Sequence, residues 1–189
     1  MPDLYILTGA NGAGKSTTGV AYLPSQLKEY QIFDGDKLFA EKRKQIYKIQ
    51  TLSLKEAGRL STEWLHQYFE HCVLNAINKN DHFIYEGHLP EEENWITPKR
   101  FKSAGYNIHV LFFGLANPGI SEQRVLIRAK EGGHNVPPYE IERNFYGNLL
   151  QLNKHYGLID ELKIIDTSDS KPKVVAILNE NKVIEALTV

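Results

Sequence analysis

Eight residues near the amino terminus, Gly9-Ala10-Asn11-Gly12-Ala13-Gly14-Lys15-Ser16, satisfy the pattern G-x-x-x-x-G-K-[ST] in full. The glycines allow the backbone to curl until successive N–H groups point at one phosphate, and a helix that follows adds its positive end. In that arrangement Lys15 reaches the β- and γ-phosphates of ATP, the Ser16 hydroxyl coordinates Mg²⁺, and Thr17 touches the α-phosphate. A glycine turn can match the pattern by accident. Here an apolar run, Leu4 to Thr8, precedes it and a helical segment follows, which is the context the motif requires.

Further along stand carboxylates and arginines of the kind that phosphoryl transfer uses. Phe33-Asp34-Gly35-Asp36 closes a second apolar run. A hydroxyl that attacks a phosphate needs a carboxylate to take its proton. Asp36 is the candidate base, and Asp34, nearer the strand, a candidate for the acceptor or for metal-bound water, although Asp-rich turns are also common without any such role. Glu86 ends a third run and could hold the magnesium water shell or the acceptor. His88 follows in the same loop and is counted with the acceptor-binding candidates, although a histidine in a polar loop is more often simply exposed. Arg124 and Arg128 lie four apart, hence on one helix face. The string Gly132-Gly133-His134-Asn135-Val136-Pro137-Pro138 then interrupts the helical pattern, and Arg143 sits one turn into the next helix. This reads as a lid over about residues 124–143. Arg124 is assigned to the nucleotide, and Arg128 and Arg143 to charge on the transferring group. Lone arginines on helices usually face water; three around a glycine hinge argue for the lid.

The elements that must position these residues alternate. Strands are expected at Leu4–Thr8, Tyr30–Asp34, His82–Glu86, Asn107–Gly114 and Leu162–Asp166. A hairpin is expected from Lys173–Leu178 and Lys182–Leu187. Helices are expected from Lys15 to before Pro24, and over Ser53–Asn80, Asn94–Ala104, Ile120–Glu131 and Tyr139–Lys154. Such alternation gives an α/β, three-layer fold: a mainly parallel five-stranded sheet, helices on both faces and a C-terminal β-hairpin. Ligands bind beyond the carboxyl ends of parallel strands, where Thr8, Asp34, Glu86, Gly114 and Asp166 all fall. By analogy with such folds, adenine is expected near Asp166-Thr167-Ser168.

The chain has 189 residues and no repeat or linker that would divide it, so one domain over 1–189 is expected. Its formal net charge of −1 offers no global field for nucleic acid or an anionic membrane, so phosphate binding must be local. Cys72 is the single cysteine, which forbids an intrachain disulfide and fits a reducing compartment. With no apolar run long enough for a signal peptide or a span, a cytoplasmic location is expected. His66, His71 and Cys72 lack zinc-ligand spacing. The aromatic residues read as core, with no stacking platform for nucleic acid.

With these pieces in place the chain resembles the zeta-toxin-like P-loop kinases, in particular a small bacterial branch that carries the label predicted ABC-type ATPase. The resemblance runs from about Leu4 to Ser168. It rests on Gly9 to Thr17, Asp34-Gly35-Asp36, Glu56-Ala57-Gly58-Arg59, Glu86, and Arg128 through Gly132-Gly133-His134-Asn135-Val136-Pro137 to Arg143. It implies a catalytic aspartate at Asp36, lid arginines at Arg128 and Arg143, and Arg59 near the acceptor. It also implies transfer to a hydroxyl of a small acceptor such as a UDP-N-acetyl sugar, and a protein antitoxin as partner. One departure stands out: Glu86-Gly87-His88-Leu89 replaces the branch's usual Glu-Thr-Thr-Leu. Two other readings stay open, a metabolite or nucleotide kinase of the shikimate, gluconate or nucleoside-monophosphate type, and a nucleotide-dependent binding module without transfer. An ABC-transporter ATPase is disfavoured by the lack of an LSGGQ-type signature and of an apolar strand ending in Asp-Glu.

Overall fold

The computed structural model describes residues 1–49, 52–131, 136–179 and 182–186. Among these residues, seven strands, β1 (Asp3–Gly9), β2 (Phe33–Asp34), β3 (Phe83–Glu86), β4 (Asn107–Gly114), β5 (Glu161–Asp166), β6 (Lys173–Asn179) and β7 (Lys182–Ala186), form one sheet. Its spatial order is β2-β3-β1-β4-β5-β6-β7. The first five in that order run parallel. The hairpin expected at the C-terminus is present and extends the same sheet antiparallel to β5. Leu187, its expected last residue, lies outside the described residues.

The helices are α1 (Lys15–Thr18), α2 (Gly35–Ile49), α3 (Leu54–Lys79), α4 (Ile96–Ser103), α5 (Pro118–Lys130) and α6 (Pro138–Lys154). β4 is apolar because both its faces are covered. Ile108, Val110 and Phe112 join Val73 and Ala76 of α3 and Phe101 of α4 on one side. Leu111 and Phe113 join Leu23 and Leu27 on the other. α3 keeps its expected limits because its ends are chemically marked. The Ser53 hydroxyl accepts from Glu56 N at 3.1 Å, and Asn80 takes the left-handed conformation that ends the helix, with φ 55°.

Three expectations need correction. The helix begun at Lys15 is α-helical for one turn only and then tightens into a 3-10 turn over Gly19–Tyr22. Gly19 is pressed so closely on the sheet that a Cβ would stand 2.4 Å from Leu7 Cδ2. The second strand is two residues long, pairing only Phe33 with Tyr85 and Asp34 with Glu86 at the sheet edge. Gly35–Ile49, where no helix was expected, form α2. Its inward residues are few, Leu38, Phe39 and Ile46, and Lys42 lies over the Trp64 ring of α3 at 4.7 Å. Leu38, Phe39 and Ile46 recur near helical spacing among charged neighbours, so this helix was legible as an amphipathic segment. Among the described residues no helix is long and apolar enough to cross a membrane.

Candidate active site

β1 delivers the phosphate loop at the centre of the parallel strands. Gly9, with φ 130°, crosses β4 so tightly that a Cβ would be 2.1 Å from the Phe113 carbonyl oxygen. Gly12 and Gly14 take left-handed conformations, with φ 68° and 78°. The curl buries Lys15, whose Nζ donates to Ala10 O at 2.9 Å and Gly9 O at 3.3 Å. Burial pulls its pKa down to about 8, while the carboxylates of Glu86 and Asp36 oppose the shift. Ser16 Oγ donates to Glu86 Oε1 at 2.8 Å. Burial raises the Glu86 carboxyl above its ordinary value, opposed by Lys15 and by the Ser16 hydrogen bond.

Two clefts adjoin at this point. One, of about 180 Å³, runs along the loop from Gly12 to Thr17 beneath Arg124 and Arg128. The other, of about 230 Å³, is bounded by Asn11, Asp34, Asp36, Lys37 and His88. Gly12, Lys15, Ser16, Glu86 and Arg128 line both. Asp36 thus reaches the second cleft alone, from the first turn of α2. Asp34 caps that helix, its Oδ1 accepting from Lys37 N at 3.0 Å.

Arg124 is pinned, donating through Nη2 to Ser168 O at 2.8 Å and through Nη1 to Gly12 O at 3.4 Å. Ser168 is held in turn by Asp166 Oδ1, which accepts from its N and Oγ. His88 is partly buried. Desolvation, and then the Lys15 charge, hold its pKa well below the ordinary value, so the ring is neutral. Its Nε2 lies 3.3 Å from Asn11 Nδ2, and Asn11 Oδ1 accepts from Asn144 Nδ2 at 3.0 Å.

Two expected residues lie elsewhere. Arg59 lines neither cleft; it is exposed on α3 and pairs within its own helix, with Glu56 at 2.7 Å and with Glu63. Arg143 is half exposed, its guanidinium 3.9 Å from Glu91 and 4.0 Å from Glu140, and it too lines neither cleft. The hinge residues Gly132, Gly133, His134 and Asn135 lie outside the described residues. Val136, just beyond them, is buried with Val125 and Ile141.

Sequence reasoning missed four contributors. Lys37 sits on the wall of the second cleft. Ser121 Oγ donates to Asn11 O at 2.6 Å. Asn144 and Asn148 of α6 are buried against the phosphate loop. A signal existed for the last two: asparagines four apart in line with Ile141 and Leu152 occupy the core face of a helix, where a polar side chain needs a partner.

A phosphate loop after a central parallel strand, with carboxylates at the next strand ends and arginines on the helix above, is the architecture of the P-loop kinases. The zeta toxin family model matches residues 1–180, and the chain belongs to that family. Among solved structures, AvrRxo1-ORF1:-ORF2 with ATP is 18% identical, with TM-score 0.72 over 97% of this chain and 60% of that one. A structure from the PezAT chromosomal toxin-antitoxin system of Streptococcus pneumoniae is 21% identical, with TM-score 0.62 over 91% of this chain and 72% of that one. The chain thus spans about three fifths of the AvrRxo1 chain's length. No curated protein sequence matches it.

Proposed function

We propose that residues 1–189 form one ATP-dependent kinase domain that transfers the γ-phosphate of MgATP to a hydroxyl of a small acceptor. The carrying observation is that two clefts meet at Lys15, Ser16, Glu86 and Arg128, and only the second contains Asp36. ATP belongs in the first, its phosphates on the backbone N–H groups of Gly12 to Thr17 and its base toward Arg124 and Ser168. The acceptor belongs in the second, among Asp34, Asp36, Lys37 and His88. The oxygen pair of Ser16 and Glu86 suits a hard cation. That pair would hold magnesium together with the phosphates. Bound there, the ion would neutralise charge building on the β- and γ-phosphate oxygens.

Asp36 takes the proton as the acceptor oxygen bonds to the γ-phosphorus; the bond from that phosphorus to the β–γ bridging oxygen breaks, and ADP leaves. Lys15 and Arg128 stabilise the equatorial oxygens during transfer. A UDP-N-acetyl sugar is the first acceptor to try, and a protein antitoxin the partner to seek, since the PezAT relative comes from a toxin-antitoxin system. The test is transfer of labelled γ-phosphate to a metabolite mixture. Asp36→Asn should retain ATP binding and lose about 10²–10⁴ in rate. Unchanged turnover in Lys15→Ala would refute the assignment.

A further inference from the structure

The ladder between β1 and β3 ends one step beyond its register, with Gly87 N donating to Leu7 O at 3.1 Å. Past that point the two strands separate, one into the phosphate loop and the other into the acceptor loop. The side-chain amide of Asn148, 1% exposed, fills the gap. Its Nδ2 donates to Gly9 O at 3.3 Å and to Asn144 O at 2.5 Å. Its Oδ1 accepts from Leu89 N at 2.6 Å and from Thr8 Oγ1 at 3.2 Å. With both hydrogens placed, its 3.5 Å approach to His88 Nδ1 is not a third donation. The carboxamide therefore acts as an extra peptide group, continuing the sheet's hydrogen bonding across an opening that the clefts require. Its backbone cannot drift, because α6 is seated on the acceptor loop at the neighbouring Gly147, where a Cβ would lie 2.6 Å from Pro90 Cβ.

Gly9 O accepts from Asn148 Nδ2 and Lys15 Nζ, and the His88 ring also bonds to it. On the reading of Lys15 given above, the ammonium must leave this carbonyl for the nucleotide phosphates. Gly9 is buried, so once the ammonium leaves, its carbonyl depends on the side chains fixed beside it, Asn148 and His88, and not on water. We propose that Asn148 is a positioning residue that keeps the Gly9 carbonyl satisfied when Lys15 leaves it, so that the phosphate loop holds its shape as nucleotide binds. This rests on the phosphotransferase reading.

The test is a double-mutant cycle on MgATP affinity, measured by calorimetry or by competition with a fluorescent ATP analogue. Asn148→Ala alone should weaken MgATP about tenfold, the order expected for removing one donor from a buried acceptor. In a Lys15→Met background the same change should have no further effect, since no ammonium leaves the carbonyl on binding. A merely structural role would weaken binding equally in both backgrounds, and equal losses overturn the proposal, as does wild-type affinity in Asn148→Ala. If the truncation does not fold, Asn148→Leu keeps the volume and serves the same cycle with the same criteria. Failure of the wild-type protein to bind MgATP would instead overturn the phosphotransferase reading, and this inference with it.

Discussion

The Ser16 hydroxyl donates to Glu86 Oε1 across 2.8 Å, tying the first turn after the phosphate loop to the end of the neighbouring strand β3. The hydroxyl expected to hold the metal and the carboxylate expected to shape its water shell are thus already side by side. Glu86→Gln keeps the shape and removes the charge. It is expected to leave ATP binding in EDTA unchanged and to weaken magnesium-dependent binding by about 10–100-fold, the usual cost of losing an outer partner of a metal site. Calorimetric titrations with and without magnesium check the split.

Arg128 and Arg143 should separate in their effects. Arg128 lines both clefts, whereas Arg143 lies outside them among Glu91 and Glu140. Arg128→Ala should slow single-turnover transfer by about 10²–10³ while ATP affinity changes less, as for loss of a donor aimed at transition-state charge. Arg143→Ala should cost less than Arg128→Ala in the same assay. The reverse order would mean that Arg143, not Arg128, meets the phosphoryl group.

Lys15 makes nucleotide binding pH-dependent. Its pKa falls from 10.5 to about 8 in the folded, ligand-free protein, chiefly through burial. Between those values the native state has lost a proton that the unfolded chain still holds, so the stability of the free protein rises with pH in that window. MgATP affinity should move the other way, falling up to about tenfold per unit above pH 8, because the phosphates need the ammonium. Thermal unfolding and calorimetry across pH 7–10 should show opposite trends in the wild type and neither trend in Lys15→Met.

Two helical glycines should respond oppositely to alanine. At Gly147 a methyl group would meet Pro90 Cβ at 2.6 Å and Pro90 O at 2.9 Å, and at Gly58 it would meet nothing within 4 Å. Gly147→Ala is expected to cost about 1–3 kcal/mol through overpacking. Gly58→Ala is expected to gain about 0.5–1 kcal/mol from helix propensity. Urea unfolding of both variants measures the difference.

The sequence by itself determined the phosphate loop, the alternation of strands and helices, and the limits of α3. Each of these is local: glycines at positive φ, a period of apolar residues, or a capping side chain acts through neighbours a few residues away. It also marked Asp36, Glu86, Arg124 and Arg128, because residues at strand ends and on one helix face are brought to the same edge by the parallel topology alone. Only the tertiary structure decided that Arg59 turns to its own helix partners, that α2 carries Asp36, and that Lys37 enters the second cleft. It alone revealed what the asparagines of α6 hold, since Asn148 meets Gly9 and Leu89 across 139 and 59 residues of chain. No local pattern records such pairings, because the hydrogen bonds that give those side chains their meaning form only when distant strand ends are packed under one helix.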